Sequence, residues 1–257
     1  MGAATTIDAS THVIALVAVT FLVAGFVKGV VGLGLPTISV GVMTATIGLQ
    51  PALALVVAPA IATNLWQGLS GGHFRELLRR HWPFFLAATL CTWIGVAIVV
   101  WAASPLLPLV LATSLILHSS LSLMKVRLPM PSGGGHALGV VMGGATGVLM
   151  GMTGSGSVPS VYYLDTLGLD RNRFVQAMGI LFVLLTAALG ASLAERSAFD
   201  PHMIWLSIGA LLPTFFGVYA GQRLRRRMSE TAFRKTLYLS LMALGVVIIV
   251  RTLMRIL

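Results

Sequence analysis

The sequence predicts an all-α polytopic membrane protein of about eight to ten transmembrane or re-entrant helices in two inverted repeats. Scarcity of charge, recurring apolar runs and a duplicated glycine motif predict it. Charged residues fill 9% of the 257 positions and hydrophobic residues 57%, against about 25% and about 45–50% in soluble domains. With a mean hydropathy of +0.94, such a chain cannot dress a water-facing surface, so lipid is its solvent. Apolar runs near 20 residues, the length that crosses a ~30 Å hydrocarbon core, recur from end to end.

In chain order the apolar segments are 12–32, 35–49, 52–71, 82–102, 105–124, 137–154, 157–168, 174–194, 201–221 and 232–250. Pro36, Pro51, Pro83, Pro105 and Pro201 stand near segment starts, where a missing backbone donor costs least. The first apolar stretch, Val13 to Leu35, follows no basic region and is too long for a cleaved signal peptide. The longest polar stretch, 125–136, reads as a cytoplasmic linker between repeat 1 (12–124) and repeat 2 (137–257) of a single transmembrane domain.

The net charge of +10 would suggest nucleic acid in a soluble protein. Here the basic residues crowd into alternate short loops: Arg75, Arg79 and Arg80; Lys125 and Arg127; Arg171 and Arg173; and the Arg223-to-Lys235 cluster. The positive-inside rule makes those loops cytoplasmic and places both termini on the opposite side. The expected partners are therefore the lipid bilayer and a small solute, with no nucleic acid; an oligomer is compatible with the sequence. The single cysteine, Cys91, lies in an apolar run, so neither an intrachain disulfide nor a cysteine metal cluster can form, and no cofactor is expected.

Self-similarity is the strongest local signal. Gly25, Gly29, Gly32 and Gly34 match Gly147, Gly151, Gly154 and Gly156 at one constant offset, and Gly95 matches Gly217 at the same offset. Each half holds five apolar elements, so the second copy enters the membrane from the opposite face, the arrangement that puts a substrate site at discontinuous helices near the midplane. Gly25/Gly29 and Gly147/Gly151 have a competing reading as close-packing positions. Gly32/Gly34 and Gly154/Gly156, two apart and followed by proline, favour a helix break. The half-helices after them, from about Pro36 and Ser157, would turn positive dipole ends toward an anion.

These duplicated motifs, with the helices that flank them, resemble the TauE/SafE family of sulfite exporters, also called toluene-sulfonate uptake permeases. The resemblance runs over nearly the whole chain. It implies a transporter of the bacterial inner membrane for sulfur-containing anions such as sulfite, sulfoacetate, thiosulfate or other organosulfonates; the inverted repeats favour alternating access, and a negative cell interior favours export of an anion. The chain departs from the family pattern where Leu35 and Ser157 replace a third glycine.

Lys28 is the only charged residue in the middle of an apolar segment, and an ionisable group at that depth reads as functional. The competing reading is a snorkelling anchor. The expected substrate site comprises Lys28, Gly29, Gly32, Gly34, Thr37 and Asn64 in the first half, and Gly151, Thr153, Gly154, Ser155, Gly156, Ser157, Tyr162 and Gln176 in the second. Hydroxyls and freed amides wrap an oxyanion without adding charge; each is also a candidate for plain interhelical bonding, as are Asn64, Gln67 and Gln176.

The seven acidic residues all fall in loops or near segment ends, so no intramembrane carboxylate relay is expected; transport is expected to follow the substrate gradient and the membrane potential. His118 is the one intramembrane histidine, read as satisfied by a neighbour. Ser155 lacks the glycine that precedes an intramembrane protease nucleophile, and neither a metal cluster nor a phosphate loop is present, which argues against an enzyme. The alternatives are an anion channel, an uptake permease for another small organic anion, or a structural subunit indifferent to loss of Lys28.

Overall fold

The computed structural model describes residues 11–102, 104–124, 135–196, 201–225 and 230–256. They form eleven α-helices: α1 (Thr11–Val31), α2 (Leu35–Ile47), α3 (Leu49–Leu69), α4 (Phe74–Ala102), α5 (Leu107–Leu123), α6 (His136–Thr153), α7 (Ser157–Thr166), α8 (Arg171–Glu195), α9 (Pro201–Gly209), α10 (Leu211–Arg225) and α11 (Glu230–Ile256). Seven stretches are long and apolar enough to cross a membrane, so the chain is a multi-pass membrane protein. Residues 125–134 of the expected linker lie outside the described residues.

Two segments are organised differently from the sequence reading. The segment expected at 201–221 is two helices, α9 and α10, with a turn at Ala210. The segment expected to begin at 82 follows a kink within α4, and the helix continues upstream of that kink to Phe74 through a basic stretch in which Leu77 is 2% exposed. Pro83 therefore sits inside α4, and the helix kinks just before it at His81 (φ −118°, ψ 22°), since proline removes a backbone donor and crowds the preceding turn. The segments whose span was open, 35–49 and 157–168, are helices of 13 and 10 residues. At ~1.5 Å per residue they reach about 20 Å and about 15 Å, short of a ~30 Å core.

Glycine seams hold the long helices together. A Cβ at Gly25 would lie 2.3 Å from the Thr214 carbonyl oxygen on α10, and one at Gly29 would lie 2.3 Å from that of Val218. On the other side of the molecule, Gly147 and Gly151 of α6 meet the backbone of α4 in the same way, at 2.1 Å from the Ala88 oxygen and 2.3 Å from that of Thr92. Gly95 and Gly217 answer from the facing helices, 2.2 Å from the carbonyl oxygens of Val148 and Leu22. The first helix of each sequence half thus docks on a late helix of the other half, with backbone on backbone and no side chain between. Such contact gathers the dispersion energy that association in lipid depends on.

Between these seams α3 and α8 cross at Gly68 and Gly179, and α5 packs on α11. The core they enclose includes Phe21, Leu35, Leu53, Phe84, Phe85 and Leu181, all at most 2% exposed. α2 and α7 sit within this frame, each joined to a long helix by a three-residue break.

Candidate functional site: a buried lysine between two helix breaks

Both glycine motifs break the helix. α1 ends at Val31 and α2 starts at Leu35; α6 ends at Thr153 and α7 starts at Ser157. Gly32, Gly34 and Gly154 adopt φ of 90°, 100° and 68°, a region that L residues occupy only under strain. Gly156 differs, with φ −101°; its small size is needed because a Cβ there would lie 2.9 Å from the Thr146 carbonyl oxygen. Leu35 and Ser157, the two departures from a third glycine, are each the first residue of the following helix. Their helical backbone requires no glycine.

A narrow cavity opens where the breaks meet. It is lined by Lys28, Leu33, Gly34, Pro36, Thr37, Asn64, Ser155 and Phe182 and is so constricted that a water-sized sphere has only a few positions. Lys28, 7% exposed, does not snorkel: its Nζ donates a hydrogen bond to Asn64 Oδ1 on α3. No carboxylate pairs with it among the described residues. Asn64 is 2% exposed and its Nδ2 has no partner among the described residues. Across the cavity the hydroxyls of Thr37, in the first turn of α2, and Ser155, inside the second break, are 3.0 Å apart. That contact links residues from the two halves of the chain.

The other expected site residues stand elsewhere. Gly29 and Gly151 lie in the helix seams. Thr153 ties the second break together: its hydroxyl donates to the Leu149 oxygen at 2.7 Å and accepts from the Ser155 N–H at 3.2 Å. Gly32, Gly154 and Gly156 shape the breaks without lining the cavity, and Ser157 is the first residue of α7. Tyr162 is half-buried on α7, outside the lining. Gln176 spans from α8 to the α3–α4 turn, donating to the Gly68 oxygen and accepting from the His73 N–H, both at 3.0 Å. Gln67 makes a similar tie, to the Val175 oxygen at 2.9 Å. His118 stands edge-on to Tyr238, 5.7 Å between ring centroids, away from the cavity.

Sequence reasoning passed over Leu33, Pro36 and Phe182 as lining residues. Leu33 and Pro36 lie inside the first motif and were within reach of it. Phe182 is one apolar residue among many in α8, and no sequence signal separates it from the core.

Chemically the cavity offers one cation, one amide donor, two hydroxyls and an aromatic wall. This donor-rich, carboxylate-free lining suits an oxyanion. No three His, Cys, Asp or Glu side chains come together as a metal-binding group among the described residues.

A multi-pass membrane fold around an internal polar cavity is the architecture of a membrane transport protein. The family model for the sulfite exporter TauE/SafE family matches residues 17–248, and the chain belongs to that family. Membership implies a membrane transporter of sulfur-containing anions, a class that is not enzymatic. No curated protein and no solved structure matches the chain.

Proposed function

We propose that the cavity between the two breaks is the substrate site, and that it carries a small sulfur oxyanion or organosulfonate through the bacterial inner membrane, outward, by alternating access. The observation that carries this reading is the buried Lys28 amino group beside Asn64, with no carboxylate pairing it among the described residues. A cation held at such depth is expensive unless a counter-charge arrives, and the counter-charge that fits the family is the substrate. Asn64 Nδ2 and the Thr37 and Ser155 hydroxyls supply the remaining donors.

The reciprocal docking of α1 on α10 and of α6 on α4 supports two inverted repeats, 12–124 and 137–257. Rocking one seam-held pair against the other would open the cavity to either side in turn. Both termini then face the periplasm, with the basic loops in the cytoplasm.

Thermal stabilisation of the detergent-purified protein by sulfite, sulfate, thiosulfate, sulfoacetate, taurine and acetate tests the site, on wild type and Lys28→Met. Saturable stabilisation by a sulfur anion, lost in the variant, is the expected result. Equal stabilisation of both proteins would remove Lys28 from the site.

A further inference from the structure

The substrate site, if it works as proposed above, has a difficulty that its own geometry resolves. An alternating carrier must also turn over empty, and an empty site here leaves a buried ammonium with an amide oxygen for company. Leaving a buried ion without its counter-charge costs several kcal/mol, and such a group neutralises instead. Asn64 Oδ1 is a suitable companion for that change, since a neutral amide oxygen accepts equally from an ammonium or an amine.

Among the described residues, the cavity lining provides no second ionisable group to share the task. Lys28 is the one titratable residue lining the cavity among the described residues. Of the elements packed against α1 or facing the cavity, α2 and α3 contain no Asp, Glu, Lys, Arg, His, Tyr or Cys. On α10, Tyr219 and Arg223 are both exposed and stack on each other, 4.6 Å from guanidinium carbon to ring centroid. On α8, Arg173 pairs with Glu76 and Asp170 near the helix start, and Glu195 accepts from Trp93 at the far end. On α11, Lys235 is exposed, Tyr238 meets His118, and Arg251 donates to the Ala45 oxygen at the last turn of α2.

We propose that Lys28 carries a proton with each anion, so that the protein is a proton–anion cotransporter whose empty form crosses with a neutral amine at position 28. The cycle balances. On anion entry an N–H bond forms at Nζ, the proton coming from water or buffer acid on the loading side. On the far side the anion leaves, that N–H bond breaks, and the proton passes to water. One proton and one anion move together, so a monoanion crosses without net charge; outward movement then runs down the anion's own gradient and carries a proton with it, and an imposed proton gradient biases the anion in the same direction. This differs from movement driven by substrate gradient and membrane potential alone.

Two measurements on the full chain test the coupling. The first titrates sulfite and thiosulfate into wild-type protein in two buffers of different ionisation enthalpy, with sulfite's own protonation subtracted; thiosulfate's charge is fixed over the range. Above the pH at which the empty amine loses its proton, one proton is taken up per anion and the apparent Kd rises about tenfold per pH unit. The second follows uptake of the same anions into proteoliposomes with the membrane potential clamped to zero and a pH dye trapped inside. A pH gradient, acid on the loading side, should accumulate the anion with equal proton entry. Lys28→Arg, which holds its charge permanently, should bind anion with a pH-independent Kd. Anion binding by wild type without proton uptake, or accumulation indifferent to the pH gradient, would overturn the coupling and leave the substrate site standing. Failure of wild type to bind any sulfur anion would overturn both.

Discussion

The two helix breaks share a backbone plan and differ in chemistry. In the first, Lys28 stands immediately before Gly29 and four residues before Gly32; in the second, Met150 stands immediately before Gly151 and four before Gly154. Lys28 reaches Asn64, whereas Met150 is fully buried in the apolar core. At the constant offset from Asn64 stands Thr186, also fully buried, its hydroxyl without a partner among the described residues. The second break instead contributes hydroxyls: Thr153, spent on its own backbone, and Ser155, which faces Thr37. The two glycine motifs match in sequence, yet the side chains at corresponding positions meet different surroundings. The charge resides on one break, and the other completes the cavity with neutral donors.

Exchanging the charge tests this asymmetry most severely. Lys28→Met should weaken sulfur-anion binding at least about 100-fold, since removing one partner of a buried charge pair costs about 3–5 kcal/mol. Met150→Lys should not restore it. An ammonium in that apolar setting should instead lower the melting temperature by more than about 5 °C, read by thermal unfolding in detergent.

The seams should respond alike on both sides. Gly29→Ala and Gly151→Ala each drive a Cβ to 2.3 Å from a backbone oxygen, so each should cost about 1–3 kcal/mol in denaturation. A marked inequality would show that the two dockings carry different loads.

The breaks themselves should separate by mechanism. Gly32→Ala has nothing within 4 Å of its Cβ but a φ of 90°, so its cost of about 1–2 kcal/mol is backbone strain. Gly156→Ala keeps an ordinary φ and clashes with the Thr146 oxygen, so Thr146→Ala should not relieve it. The smallest effect belongs to the hydroxyl pair. Ser155→Ala or Thr37→Val should weaken anion binding by about 2–10-fold, the worth of one hydrogen bond, and the double variant should fall short of the product.

Away from the membrane core, Asp170 caps α8, and the backbone N–H of Arg173 is the main reason its carboxyl is held below the usual carboxylate range. A depressed folded pKa stabilises above the unfolded value and is lost as pH falls through the folded one. Acidification below the ordinary value of 3.8 should therefore loosen the start of α8, seen as faster backbone hydrogen exchange there, and Asp170→Asn should remove that dependence.

Much of this was legible in the sequence because lipid imposes simple rules. Apolar runs located the long helices, and the paired glycines located both breaks, since few backbones other than glycine accept φ near 90°. Lys28 announced itself as a charge where none is cheap. Gln176 shows the limit. A buried amide in a membrane helix must find partners, but whether they are a substrate or the α3–α4 turn depends on what lies across the gap. Phe182 shows the same limit from the apolar side, being indistinguishable in sequence from core residues that line nothing.

By itself, then, the sequence determined the membrane solvent, the positions of the helix breaks and the lysine within an apolar segment, because each follows from the cost of placing a residue type in hydrocarbon or in a left-handed backbone. Only the tertiary structure decided that Asn64 from α3 answers Lys28, that Ser155 crosses to Thr37, and that α2 and α7 stop short of spanning. Those contacts join residues 36 and 118 positions apart. Pairings of that range are set by how glycine seams bring whole helices together, which local patterning does not encode.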